Sequence, residues 1–313
     1  MIKEVLKFMY KLLESLVEKN RHYGKEGNLA SYIPALLRAN PDDLGIAIVD
    51  LQGRKYFAGE YDNKFTIQSI SKIVSLILAL GDNGRENVFS KVNVEPTGDE
   101  FNSIVSLEKK DQNKPYNPMI NAGAIVTTSL IYGENQEDKF QRILDFLRKA
   151  TNNPNVGFNE EVYISEKETG NRNRALAYFM KSNGMLDGNI EEILDLYFRQ
   201  CSIEATAMDM AMFGSVLAND GITPWSNERL ISRENCRIVK TIMVTCGMYD
   251  ASGEFAVQIG VPAKSGVGGG IIATVPRWMG IGVYGPALDK KGNSAAGLRV
   301  LKDLSQELDL SIF

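Results

Sequence analysis

Histidine is nearly missing from this chain: His22 is the only one in 313 residues. Imidazole-based zinc sites need several histidines, and a Ser-His-Asp relay needs one beside its nucleophile, which the flanking RHYG does not offer. His22 therefore reads as a surface residue, and acid–base work near neutrality falls to lysine, tyrosine or carboxylates. Cysteine is sparse as well. Cys201, Cys236 and Cys246 are odd in number and lack metal-ligand spacing, which predicts reduced thiols in the cytoplasm and no disulfide framework. No apolar run is long enough to span a bilayer and no signal-peptide core is present, so a cytoplasmic protein off the membrane is expected. With a net charge of −4 there is no basic footprint for nucleic acid or anionic lipid. The expected partner is a small molecule. No internal repeat and no Gly/Ser/Pro linker interrupts the sequence, so its parts should stay together as one domain over residues 1–313.

What is present is organised around Phe65 to Gly81, FTIQSISKIVSLILALG. It predicts a short extended lead-in and a three-turn helix with no wet face, ended by Gly81 in the left-handed conformation. Ser69 stands at the mouth of this helix. Lys72, three residues on, shares its face, and burial favours the neutral amine. A serine hydroxyl beside a neutral amine at a helix start is a nucleophile with its base, the Ser-x-x-Lys pattern of penicillin-recognising acyl transferases. The plain alternative is a capping serine and a snorkelling lysine. A second match, Ser106 to Lys109, sits in charged sequence and reads as a solvated face.

Around this helix the chain orders itself. MIKEVLKFMYKLLESLVEK puts Ile2, Val5, Leu6, Met9, Leu12, Leu13 and Leu16 on one stripe, an amphipathic helix. ASYIPALL is a turn into a short helix, and Leu44–Asp50 with Arg54–Gly59 reads as a hairpin. The middle is helical, at Phe140–Ala150, Ile190–Arg199, Thr206–Asn219 and Arg233–Cys246. Strand patterns return at Phe255–Gly260, Gly270–Val275 and Trp278–Tyr284, before a last helix at Ala295–Leu308. The expected class is α+β. One antiparallel sheet comes from both ends of the chain (about 1–80 and 250–313), flanked by terminal helices and packed beside a helical part (about 81–249). GIGVYG at Gly280 fits a dinucleotide fingerprint, but Pro286 follows it where an apolar helix is needed, so it reads as glycine-rich strand.

PAKSGVGGGI at Pro262 holds the sequence's only Lys-[Ser/Thr]-Gly, Lys264 to Gly266. It matches the second element of acyl-transferase clefts, where glycines let substrate lie against backbone; a glycine-rich hairpin is the plain alternative.

Eight stretches together resemble the serine-dependent glutaminase family, related in fold to β-lactamases. They are ASYIPALL at Ala30, IQSISK at Ile67, EPTGDEFNS at Glu95, NKPYNPMINAGAI at Asn113, SEKETGNRNRALAY at Ser165, LDLYFRQCSIE at Leu194, CGMYDASGEFA at Cys246 and PAKSGVGGG at Pro262. The Ser-Asp-Asn element of β-lactamases is absent, as it is in glutaminases. The resemblance implies a β-lactamase-like fold, hydrolysis of L-glutamine, and a cytoplasmic homotetramer without metal or organic cofactor. It implies Ser69 as nucleophile, Lys72 as base and Tyr249 as proton carrier. Tyr32, Gln68, Asn121, Glu166, Asn173, Tyr197 and Val267 fall on substrate-contacting positions, with the N–H groups of Ser69 and Val267 as oxyanion hole. Read singly, the asparagines could be capping residues, the tyrosines core aromatics and Glu166 an acid on a polar loop. The alternatives in function are a penicillin-interacting acyl transferase and a silent amino-acid-binding protein.

Overall fold

The computed structural model describes residues 2–104, 107 and 113–313, with side chains from Leu6 onward. The Ser106–Lys109 match and the Ile2 and Val5 side chains lie outside the described residues. The chain opens with α1 (Ile2–Asn20), whose Leu13, Leu16 and Val17 are buried, and His22 beyond it is exposed. A 3-10 turn at Pro34–Arg38 leads to the expected hairpin, β1 (Gly45–Asp50) and β2 (Lys55–Gly59), paired antiparallel. After β3 (Phe65–Thr66) comes α2 (Ser71–Lys91). Gly81 does not end α2. It remains helical and exposed, with open space about its Cα, and the helix bends three residues later at Gly84, whose φ of 75° and ψ of 162° only glycine adopts easily.

The middle is helical as expected, the predicted helices at Phe140–Ala150 and Ile190–Arg199 falling within α4 (Gln136–Thr151) and α7 (Ile190–Cys201), with α3 (Asn121–Ser129), α5 (Glu160–Thr169) and α6 (Asn171–Ser182) in addition. Two short strands, β4 (Gly157–Phe158) and β5 (Ile203–Ala205), join β3 in a small antiparallel sheet, order β3-β5-β4. Helices α8 (Ala207–Ala218) and α9 (Arg233–Cys246) follow; a Thr206–Asp209 capping box starts α8. The strand expected at Phe255–Gly260 is instead most of α10 (Ser252–Gln258). Phe255 and Ile259, four apart, are buried together while Val257 is 88% exposed, so the apolar alternation never shared one face.

The main sheet closes with β6 (Ala263–Ser265), β7 (Gly270–Val275) and β8 (Met279–Tyr284), in the antiparallel order β2-β1-β8-β7-β6. Strand alternation splits its residues between two faces. Ile46, Ile48, Ile271, Ile281 and Val283 meet α1 and the final helix α11 (Ala295–Leu308). Ala47 and Val49 meet Ala211 and Met212 of α8 on the other. The GIGVYG stretch is β8 itself, and its glycines have a steric reason. A Cβ on Gly282 would lie 1.9 Å from the Ala207 carbonyl oxygen, and one on Gly280 2.0 Å from the Ser215 nitrogen. With both bare, α8 lies directly on the strand.

Candidate active site

Ser69 is delivered by a strained turn. Gln68 takes φ +49°, a left-handed conformation that costs a non-glycine residue on the order of 1 kcal/mol. Its side chain donates to Thr66 Oγ1 at 3.3 Å, and Ile67 N donates to the Ile203 carbonyl at 2.8 Å, pinning the lead-in to β5. The opposite wall is the turn between β6 and β7. A Cβ on Gly266 would stand 2.4 Å from Ile67 O, and one on Gly268 2.2 Å from Thr66 O, so glycine lets this turn lie against the Ser69 lead-in. The turn closes through Gly266 N to Gly270 O and Gly269 N to Gly266 O, bonds in which the N–H of Val267 takes no part.

Lys72 is fully buried on α2. Its Nζ donates to Asn121 Oδ1 at 2.6 Å and to the Met119 carbonyl at 3.1 Å, and Asn121 Nδ2 donates on to Asn173 Oδ1 at 2.9 Å. Burial pulls the Lys72 pKa down to about 8, against the opposing pull of Cys201 and Glu166. Glu166 lies not on a polar loop but inside α5, 8% exposed, and its Oε2 has no hydrogen-bond partner. Burial lifts its pKa to about 8, with Lys72 opposing. Each of the two thus favours the other's charged form.

Three tyrosines close the cleft. Tyr197 is buried, and burial together with Cys201 and Glu166 pushes its pKa up. Tyr32 is 54% exposed as a residue, yet burial, Tyr249 and Glu166 all raise its pKa. We take the ring to be at the rim with its hydroxyl turned inward, since only the hydroxyl titrates. Tyr249 sits at φ +56° in a 3-10 turn before α10, braced by Ser252 Oγ, which accepts from Met248 N and donates to Tyr249 O. Its hydroxyl makes no hydrogen bond of full geometry, although Ser69 stabilises its ionised form and burial opposes that. Ser69 and the Tyr249 hydroxyl are thus neighbours without an aligned hydrogen bond between them.

Ser69, Lys72, Asn121, Glu166, Asn173, Tyr197, Val267 and Tyr249 are brought to one cleft, with Tyr32 at its edge and the Gln68 side chain turned onto Thr66. Three neighbours have no role assigned from the sequence, although the Lys264–Gly266 motif is marked there as part of the cleft. Lys264 and Ser265 are wholly buried, and the Ser265 hydroxyl lacks a partner; their Lys-Ser-Gly setting was the available signal. Cys201, 3.8 Å from Ser71 Oγ, carried no signal of its own. Volume does not mark the site. A groove of about 1130 Å³ between the end of α2 and α9 contains none of these residues, whereas a 20 Å³ cavity bounded by Phe101, Met119 and Tyr249 adjoins them. Among the described residues no group of three or more His, Cys, Asp or Glu could hold a metal, and no helix is long and apolar enough to cross a membrane.

A family model described as Glutaminase matches residues 27–313. The chain is 68% identical to Glutaminase 2 of Clostridium perfringens over 305 residues, 97% of this chain and all of that one. Its structure is similar to a probable glutaminase of Bacillus subtilis, with TM-score 0.91 and 41% identity over 97% of each chain. It is also similar to a Bacillus subtilis glutaminase in covalent complex with 5-oxo-L-norleucine, formed by reaction with 6-diazo-5-oxo-L-norleucine. There the TM-score is 0.89 and identity 40%, over 97% of this chain and 99% of that one.

Proposed function

The chain belongs to the glutaminase family, and from that premise we propose how its own residues carry the reaction. It is an amidohydrolase of β-lactamase-like, mixed α+β fold that converts L-glutamine and water to L-glutamate and ammonia. Ser69 is the nucleophile. Neutral Lys72 accepts the Ser69 proton as the Oγ–C bond forms at the side-chain amide, and the N–H groups of Ser69 and Val267 hold the resulting oxyanion. Tyr249 gives its proton to the departing nitrogen and recovers one from Lys72. The C–N bond breaks, ammonia leaves, and water then attacks the serine ester along the reverse proton path to release glutamate.

Recognition rests on Glu166. Its buried, unpartnered carboxylate oxygen suits the substrate's α-ammonium, Tyr32, Asn121, Asn173 and Tyr197 supply the remaining polar contacts, and Gln68, its side chain on Thr66, serves by shaping the turn that carries Ser69. The observation that carries the reading is Lys72, a fully buried amine with its pKa drawn to about 8, one helical turn from Ser69. The enzyme acts as a single catalytic domain, assembled as a cytoplasmic homotetramer as the resemblance implies; sedimentation and cell fractionation check those two points. The mechanism is tested by treating the protein with a glutamine-like diazo-ketone while following ammonia release. Mass spectrometry should find one adduct, on the peptide carrying Ser69. Labelling of Cys201, Cys236 or Cys246 in step with lost activity would overturn it.

A further inference from the structure

Lys264, like Lys72, is buried completely, and the reaction just described leaves it idle. It lies on β6 opposite Ile272 of β7. Its Nζ donates to the Ser265 carbonyl at 2.5 Å and stands 4.3 Å from the centre of the Tyr249 ring. The titratable groups facing it are Lys72 from α2, Cys201 from α7 and Cys246 from α9; none is a carboxylate. A buried amine with a like charge nearby and no counter-ion is costly, and an apolar side chain of similar volume would serve packing at least as well. Burial and Lys72 both push its pKa well below the usual lysine value. Packing therefore does not account for it.

Tyr249 needs what Lys264 provides. A bulky residue at φ +56° is held only where its surroundings over-determine it, and with no partner at its hydroxyl the ring is fixed from its sides. Phe101 packs at 4.8 Å between ring centres, tilted 39°, and Gly292 approaches the ring edge. Apolar neighbours such as Val267 and Ile33 pack around it as well, and Lys264 adds a polar contact to its face, an amine within the range of a cation–π or N–H···π interaction.

We propose that Lys264 is a positioning residue for Tyr249: anchored on the Ser265 carbonyl, it holds the ring against Phe101 so that the hydroxyl faces Ser69. The proposal rests on the reading of Tyr249 as proton carrier. It assigns Lys264 no contact with glutamine and no proton of its own.

Three proteins test it: Tyr249→Phe, Lys264→Met and the double variant, each assayed for kcat and KM on glutamine across pH. Tyr249→Phe should lose about 100-fold in kcat, the usual scale of a positioned proton donor. Lys264→Met should lose about tenfold or more, as small misplacements of catalytic groups do, with KM within about threefold of wild type. The double variant should be no slower than Tyr249→Phe, because Lys264 acts only through that side chain. The midpoint of the ascending pH limb should stay where it is. Losses that multiply would show that Lys264 acts independently of Tyr249, and a limb displaced in Lys264→Met would show that it acts by charge on Lys72; either overturns the proposal. Wild-type kcat in Lys264→Met does the same. Circular dichroism reports the fold, and Lys264→Gln repeats the comparison if Lys264→Met does not fold. Failure of both to fold would make Lys264 structural and end the idea. Full activity in Tyr249→Phe would instead sink the proton-carrier reading itself, and the proposal with it.

Discussion

Two regions of this molecule use one device for opposite ends. Where α8 lies on the main sheet, Gly280 and Gly282 let backbone meet backbone, and Ala47, Val49, Ala211 and Met212 fill the rest. Where the Gly266–Gly270 turn lies on the Ser69 lead-in, glycine again removes the side chains that would keep two segments apart. The first contact encloses apolar groups and adds stability. The second encloses Lys72, Lys264, Glu166 and hydroxyls of Tyr249 and Ser265 that lack partners, so it subtracts stability and leaves reactive groups poised. Close approach is neutral in itself. What it seals in decides whether a region holds the fold or does the chemistry.

The comparison is sharpest at the nucleophile. Ser69→Ala should lower glutamine turnover by on the order of 10⁴-fold or more, while unfolding free energy changes by no more than about 1 kcal/mol, the scale of a helix-end hydroxyl. Ammonia release and urea denaturation measure the two quantities, and a parallel loss of both would erase the distinction. Gly282→Ala is the converse. Its new methyl would fall 1.9 Å from a backbone oxygen, so destabilisation of about 3 kcal/mol is expected, with glutamine KM unchanged in whatever fraction folds.

Glu166→Gln removes charge from the cleft and leaves its volume alone. It should lower kcat/KM for glutamine by about tenfold or more, and should hardly affect 4-carbamoylbutanoate, which lacks the α-amino group and is already a poor substrate. Equal losses on both would mean that Glu166 supports structure and does not read the amine. In wild type, kcat/KM should climb with pH through about 8 as Lys72 sheds its proton. The Glu166 carboxylate raises the Lys72 pKa, so in Glu166→Gln the climb should move to lower pH. The smallest effect is expected at Gly81. It is exposed, helical and free of neighbours within 4 Å, so Gly81→Ala should stabilise by about 0.5–1 kcal/mol, read as a modest rise in Tm.

Legibility in the sequence followed the same division. Elements whose burial falls on one face were plain, such as α4, α7, α9 and α11, and so were the hairpin and β7 and β8. Helix α3 was not, because every residue from Asn121 to Thr128 is buried and no period marks a face. The two- and three-residue strands β4 and β5 carry no pattern at all, while β3 is the extended lead-in expected before Ser69. Glu166 looked like a loop acid because its charge-rich surroundings describe the exposed side of α5, while the burial of one residue in that helix is a tertiary fact. At the site, Ser69 and Lys72 were legible from spacing and an apolar helix, but Tyr32, Gln68, Asn121, Asn173, Tyr197 and Val267 entered only through the resemblance. Lys264 was visible as a motif and silent as to its neighbour, since its contact with Tyr249 joins β6 to the 3-10 turn on the other side of α10 in the chain.

The pairing of β1 with β8, Gly45 against Tyr284, has a consequence for the newborn chain. During synthesis the β1–β2 hairpin emerges long before β8, the other neighbour of β1, exists, and the turn that completes the cleft comes after all of the helical middle. A contact so distant along the chain forms late and slowly. Until the last strands leave the ribosome, α8 has β1 but not β8 to rest on, and Ser69 lacks its opposite wall. A stalled or truncated chain is thus inert toward glutamine and sticky toward other proteins, a natural client for chaperones.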